Sequence, residues 1–158
     1  MAYIYPAPGV TGVQATLALE IAADVTDDSL TIPSLQDITV NAANDVFTWT
    51  QLDSASKKQI ATTATNSLSM NLVLDQSSFF GTTGAGGTTA TAKGIFNMSA
   101  GKDLVEFSLY LGDTDTGANG KTITGQGYIT GLAPTVSADS PVWVSPITIT
   151  VDGDYTVT

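Results

Sequence analysis

Alternation with a period of two recurs along this chain and leaves little choice of fold. Between residues 13 and 21 every odd position is apolar (Val13, Ala15, Leu17, Leu19, Ile21), while Gln14, Thr16 and Glu20 take even positions. A strand points successive side chains to opposite faces, so this is the pattern of a strand with one face buried. The same spacing returns at Leu68, Met70, Leu72 and Leu74, at Val105, Phe107, Leu109 and Leu111, and at Ile147, Ile149 and Val151. Shorter runs at 38 to 40, 46 to 50, 122 to 130 and 155 to 157 bring the expectation to about eight strands, separated by Asp, Gly, Asn and Pro clusters. The predicted fold is mainly β, a sandwich or barrel, and 158 residues make one ordinary domain.

One segment breaks the period. In TTATAKGIFNMSAG, Ala92, Ile95, Phe96 and Ser99 follow a helical i, i+3, i+4, i+7 spacing. Thr88 or Thr89 suits the N-cap and Gly101 the left-handed position after the end, which predicts a single short flanking helix over about 89 to 100. Gly94 inside it is expected to cost about 1 kcal/mol relative to alanine. The preceding GTTGAGG, residues 81 to 87, reads as a flexible linker on composition.

Charge narrows function. Fifteen acidic residues face five lysines, with no arginine or histidine, for a net charge of -10. Such a surface repels nucleic acids and anionic membranes. Without cysteine there is no disulfide, thiolate nucleophile or thiolate-held metal. The start, MAYIYPAPGVTG, lacks the basic and apolar regions of a signal peptide, and no run approaches a membrane span, so the chain reads as soluble and not exported by the general route.

The absence of histidine and cysteine also removes the usual general base and the strongest nucleophile, so no enzymatic activity is expected. Carboxylate chemistry is the remaining route: Asp24, Asp27 and Asp28 cluster, and Asp113 lies two residues from Asp115. The same residues serve equally well as turn formers and solubilising charges. DTDTGANG, residues 113 to 120, resembles part of a calcium loop but lacks the closing glutamate and flanking helices; a hairpin loop is the simpler account. Lys93 is followed by Gly94 where a phosphate loop needs Ser or Thr, and Asn97-Met98-Ser99 matches a glycosylation sequon inside the predicted helix. Trp49, Trp143, Tyr110 and Tyr128 would form a sugar platform only if they shared a face; large aromatics in β proteins more often pack in cores or interfaces. No metal or cofactor is implied.

Residues 51 to 66, QLDSASKKQIATTATN, read as a long connection between strands, and structureless connections of that length are uncommon in compact domains unless functional. Gln51, Leu52, Asp53, Lys57, Lys58 and Ile60 give it apolar anchors and local positive charge on an acidic protein, suited to docking on a second copy. Residues 1 to 12 read as an extended N-terminal arm, with Tyr3, Ile4 and Tyr5 as a second contact, and residues 13 to 158 as the β domain. The strand running to the last residue is a further candidate for adding to a neighbour's sheet.

The order of elements resembles the major tail tube proteins of long-tailed bacteriophages. DVFTWTQLDSASKKQIATTATNSLSMNLVLD is similar to that family's long hairpin, TTATAKGIFNMSAGKDLVEFSLYL to its helix and following strand, and TGQGYITGLAPTVSADSPVWVSPITITVDGDYTVT to its closing strands. The resemblance covers most of residues 13 to 158 and rests on element order and composition. It implies a β-sandwich with one flanking helix, closing into hexameric rings that stack into a hollow tube, a fold also found in contractile tails and type VI secretion rings. It implies that the 51 to 66 loop makes contacts within and between rings and that other tail proteins sit at the tube ends. The genome would pass without specific binding through an acidic lumen, for which Glu20, Asp37 and Glu106 are candidates. Synthesis in the host bacterial cytoplasm and residence in the virion tail follow. Two other classes stay open: a monomeric or trimeric β-sandwich module for capsid decoration or adhesion, and a carboxylate hydrolase, for which no converging pair of acids stands out.

Overall fold

Nine strands and two helices make up the fold in the computed structural model, which describes residues 15–32, 35–52, 56–112, 120–139 and 142–158. The strands are β1 (Ala15–Ile21), β2 (Leu30–Thr31), β3 (Leu35–Asn41), β4 (Asn44–Thr50), β5 (Lys57–Thr63), β6 (Ser67–Val73), β7 (Leu104–Leu111), β8 (Lys121–Leu132) and β9 (Val144–Val157). Helix α1 (Gln76–Phe80) and helix α2 (Ala90–Gly101) lie between β6 and β7, separated by a 3-10 turn, Gly84–Gly86.

Seven strands form one antiparallel sheet in the order β2-β1-β7-β8-β9-β6-β3, curled into a half-barrel, and β4 and β5 form a separate two-stranded ribbon. The alternation places the core. Leu17 and Leu19, Phe107 and Leu109, Leu68 and Leu72, and Ile147 and Ile149 all project from the inner face and are buried. Burying each such side chain stabilises the fold by roughly 1.5–3 kcal/mol. Helix α2 closes this face with Ile95 and Met98, and α1 adds Phe79. The mainly β expectation holds, and the layer over the core is helical.

The helical region departs from expectation in three places. Residues 81 to 87 are not a loose linker: Thr82 and Thr83 donate backbone N–H groups to the carbonyls of Thr91 and Ala92, and Gly87 N–H to Gly84. Gly94 has φ 69° and ψ 169°, so it kinks α2 rather than weakening a straight helix. That conformation is essentially restricted to glycine. Thr89 caps the helix as expected, its hydroxyl accepting from Ala92 N–H, but Gly101 stays helical and Lys102 takes the left-handed position at φ 57°.

The two predicted strands at 147 to 151 and 155 to 157 are one strand, β9, with a positive-φ Gly153 between them. Its end pairs with β8 of its own sheet, Val157 opposite Ile123, and Thr158 and Thr122 exchange backbone hydrogen bonds. The terminal strand therefore already has a partner along one edge within its own chain.

Candidate functional surfaces

Two surfaces stand out, the ribbon and the face of the large sheet turned away from the core. Residues 57 to 63, read from sequence as part of a loop, are strand β5, paired in register with β4 from Thr50 opposite Lys57 to Asn44 opposite Thr63. Residues directly opposite in an antiparallel pair share a face. One face therefore carries Phe47 opposite Ile60 and Trp49 opposite Lys58, with the Phe47 and Trp49 rings stacked at 6.0 Å. Lys57, opposite Thr50, lies on the other face.

Among the described residues no other element packs extensively over this ribbon. Every residue of β4 and β5 is exposed except the half-buried Trp49; Phe47 is 60% and Ile60 56% exposed. Gln51 and Leu52 begin the turn, and Leu52 projects fully into solvent. An isolated two-stranded ribbon is marginal in water. An apolar, aromatic face on such a ribbon is a surface that gains from a partner.

The open face of the sheet is polar and acidic. Register carries one row from Glu20 on β1 to Glu106 on β7, Gln126 on β8 and Asp152 on β9. Asp154 joins them in lining a shallow depression together with Ala18, Ser108, Thr124 and Thr156. Asp37 is on the same face but at the far edge, on β3. The five lysines stand elsewhere, on the ribbon, on or just after α2, and at the start of β8 with core-side parity.

Polar groups on this face largely satisfy one another. Gln126 Nε2 donates to Glu106 Oε1 at 2.6 Å, and Asn71 Nδ2 donates to both carboxylate oxygens of Asp37 at 3.0 and 3.1 Å. Hydroxyls pair across strands at 2.7 Å, Thr124 with Thr156 and Thr130 with Thr150. Partial withdrawal from water, and then the charges of Asp27, Glu106, Asp24 and Asp28, raise the Glu20 pKa.

The remaining sequence candidates do not converge. Tyr110 and Tyr128 sit near opposite ends of β7 and β8, Trp49 is on the ribbon and Trp143 precedes β9, so they make no common platform. Asp28 secures the segment before β2 to α2, accepting from Thr91 N–H at 3.0 Å and from the Thr91 hydroxyl. Bonds from Thr89 and Thr91 hold its pKa below the ordinary carboxylate value. The Asn97 amide donates to the carbonyls of Phe80 at 2.8 Å and Lys93 at 2.9 Å, which makes it a brace between the helices. Among the described residues no group of three or more acids could hold a metal, and no helix is long and apolar enough to cross a membrane. Tyr3, Ile4, Tyr5, Asp53 and positions 113 to 119 of the calcium-like loop lie outside the described residues.

Sequence reasoning missed β5, because a strand exposed on both faces has no apolar period to read. It also missed Asp152 and Asp154, whose signal was present: they continue the polar positions Thr148 and Thr150 of the β9 alternation.

No protein-family model matches the sequence, and no curated protein matches it. Solved structures do match. A chain from the sheath/tube terminator of the PVC extracellular contractile injection system, in its extended state, is 15% identical with a TM-score of 0.59, covering 99% of both chains. A chain from the tail of an empty GTA (gene transfer agent) particle, computed with C6 symmetry, is 14% identical with a TM-score of 0.61, covering 90% of this chain and 95% of its own. The SPP1 tail tube is 10% identical with a TM-score of 0.62, covering 92% of this chain and 76% of its own. At these identities what is shared is the fold, and that fold is the one found in tail tubes.

Proposed function

We propose, with that shared tube fold as the premise, that this chain is a structural subunit of a phage-like tail tube, assembling into six-membered rings that stack around a channel. The observation that carries the reading is the ribbon, whose apolar face of Phe47, Trp49 and Ile60 is left largely open by the described residues of its own chain. A ring needs a heterologous contact, in which one surface of a copy meets a different surface of the next. A projecting ribbon on one side of a subunit provides such a contact. The six-fold symmetry of the matching GTA tail supports the ring size.

Charge favours a second copy as the ribbon's partner. Lys57 and Lys58 lie on the ribbon of a chain with a net charge of -10, so the acidic surfaces of a neighbouring copy are complementary partners for them. The acidic open face is the surface assigned to the channel. With Glu20, Glu106, Asp152 and Asp154 close together and Asp37 at the edge, it repels a phosphate backbone along its length. The side-chain amides of Asn71 and Gln126 on this face are engaged by neighbouring carboxylates and so are not free to hold passing DNA. The N-terminal arm is assigned a second contact, and other tail proteins cap the tube ends.

Negative-stain electron microscopy of the purified protein across concentration and salt tests this reading. Rings or hollow tubes of uniform width are expected, and Lys57→Glu with Lys58→Glu should leave a folded monomer that assembles poorly. Monomers under every condition would instead favour the binding-module class. Tubes formed equally well by the double variant would remove the lysines from the contact.

A further inference from the structure

The ribbon and the β3–β6 pair of the sheet are two halves of one long hairpin, and they join at an unequal bend. Asn41 pairs with Ser67 and Asn44 with Thr63, so Ala42 and Ala43 on one arm face Ala64, Thr65 and Asn66 on the other. A mismatch of this kind interrupts the ladder, bends the strands and leaves backbone groups in need of new partners.

Asn66 supplies partners on both sides. Its Oδ1 accepts the Ala43 N–H at 3.0 Å, tying one arm to the other. Its backbone carbonyl accepts the Val151 N–H at 2.9 Å, tying the bend to β9 of the sheet. A groove lined by Asn44, Thr63, Val151 and Asp154 lies beside the bend.

We infer that Asn66 is a positioning residue for self-assembly: it sets the angle at which the ribbon leaves the sheet, so that the Phe47–Trp49–Ile60 face reaches the next copy already aligned. This rests on the ribbon being the assembly contact proposed above. The physical advantage is preorganisation. A ribbon held in its docking direction has less freedom to lose on binding, whereas a swinging one is competent for only part of the time and binds more weakly in proportion.

The test compares Asn66→Ala, which removes the acceptor, with Asn66→Asp, which keeps an oxygen in the same place. Loss of one such hydrogen bond should speed exchange of the Ala43 amide by about fivefold, and slow assembly followed by light scattering by a similar factor. Thermal unfolding should show that the variant is still folded, and Asn66→Asp should restore both readouts. Asn66→Asp assembling as slowly as Asn66→Ala would overturn the acceptor role. A third variant, Phe47→Ser with Trp49→Ser, separates the two levels. If it fails to assemble while Asn66→Ala assembles normally, the positioning role falls and the ribbon contact stands. If it assembles like the wild type, the ribbon contact itself falls, and the role of Asn66 with it.

Discussion

Glu20 on β1 and Glu106 on β7 stand directly opposite one another across an antiparallel pair. Like charges in that relationship repel, so the sheet carries a local penalty that its packing must outweigh. The same pair begins the row continued by Gln126 and Asp152, and the penalty falls within the face assigned to the channel.

The penalty is measurable through Glu20, whose pKa is raised by partial loss of water and then by Asp27, Glu106, Asp24 and Asp28. A carboxyl with a raised pKa in the folded state ionises more readily when unfolded. Its contribution is therefore fully present below the unfolded pKa and is lost as pH rises through the folded pKa. Glu20→Gln should melt at a higher temperature than the wild type at neutral pH, with the difference closing as pH falls through the carboxylate range. A difference independent of pH would mean that charge is not its cause.

The channel assignment makes its own prediction. Glu20→Lys with Glu106→Lys reverses the sign of the row's two leading charges without touching the ribbon. Tubes should still form, and they should now retain double-stranded DNA that is released as salt is raised, since phosphate contacts weaken through counterion release. Tubes that form and retain no more DNA than the wild type would place this face away from the channel.

Gly94 packs against the end of α1 so closely that an added Cβ would overlap the backbone of Phe80 and Gly81, and its φ of 69° excludes other residues without strain. Gly94→Ala should destabilise the protein by about 3 kcal/mol, combining overpacking with a strained backbone. Urea denaturation measures this directly. A loss near zero would show that the kink can straighten at no cost.

Asp28 offers a prediction of opposite sign. Its pKa is lowered by hydrogen bonds from Thr89 and Thr91, so its contribution is present above the unfolded pKa and lost as pH falls through the lower folded one. Asp28→Ala should cost about 1 kcal/mol at neutral pH, allowing for its partial exposure. The gap between the two proteins should narrow in acid, as followed by denaturation at a series of pH values. A gap that persists at low pH would assign the loss to packing.

How much of this was legible depended on whether a residue's role was local. The strands at Leu17–Leu19, Leu68–Leu72, Phe107–Leu109 and Ile147–Ile149 announce themselves because one buried face imprints a period of two on the chain. KKQIATT has no buried face and so reads as a loop, though it is as extended as the others. Gly94 reads as a flaw in a helix until α1 is seen packed against it. Lys58 and Ile60 stand out in the sequence by composition and charge, whereas Phe47, which completes their surface, reads simply as a strand residue, and Trp49 reads as a platform candidate instead of a partner of Lys58.

By itself the sequence determined that this would be a mainly β protein with one buried face along its main strands, a short helix over about 89 to 100, and no histidine or cysteine chemistry. Those properties follow from side-chain type and from the alternating geometry of an extended chain, both of which are local. Only the tertiary structure decided that β1, β7, β8 and β9 lie side by side, so that Glu20, Glu106, Asp152 and Asp154 gather on one face, and that the ribbon leaves the sheet at Asn66 with its aromatic side largely open among the described residues. Alternation gives the face on which a side chain lies, but its neighbours across the sheet depend on pairing between strands far apart in sequence. That choice is made by packing of the whole core.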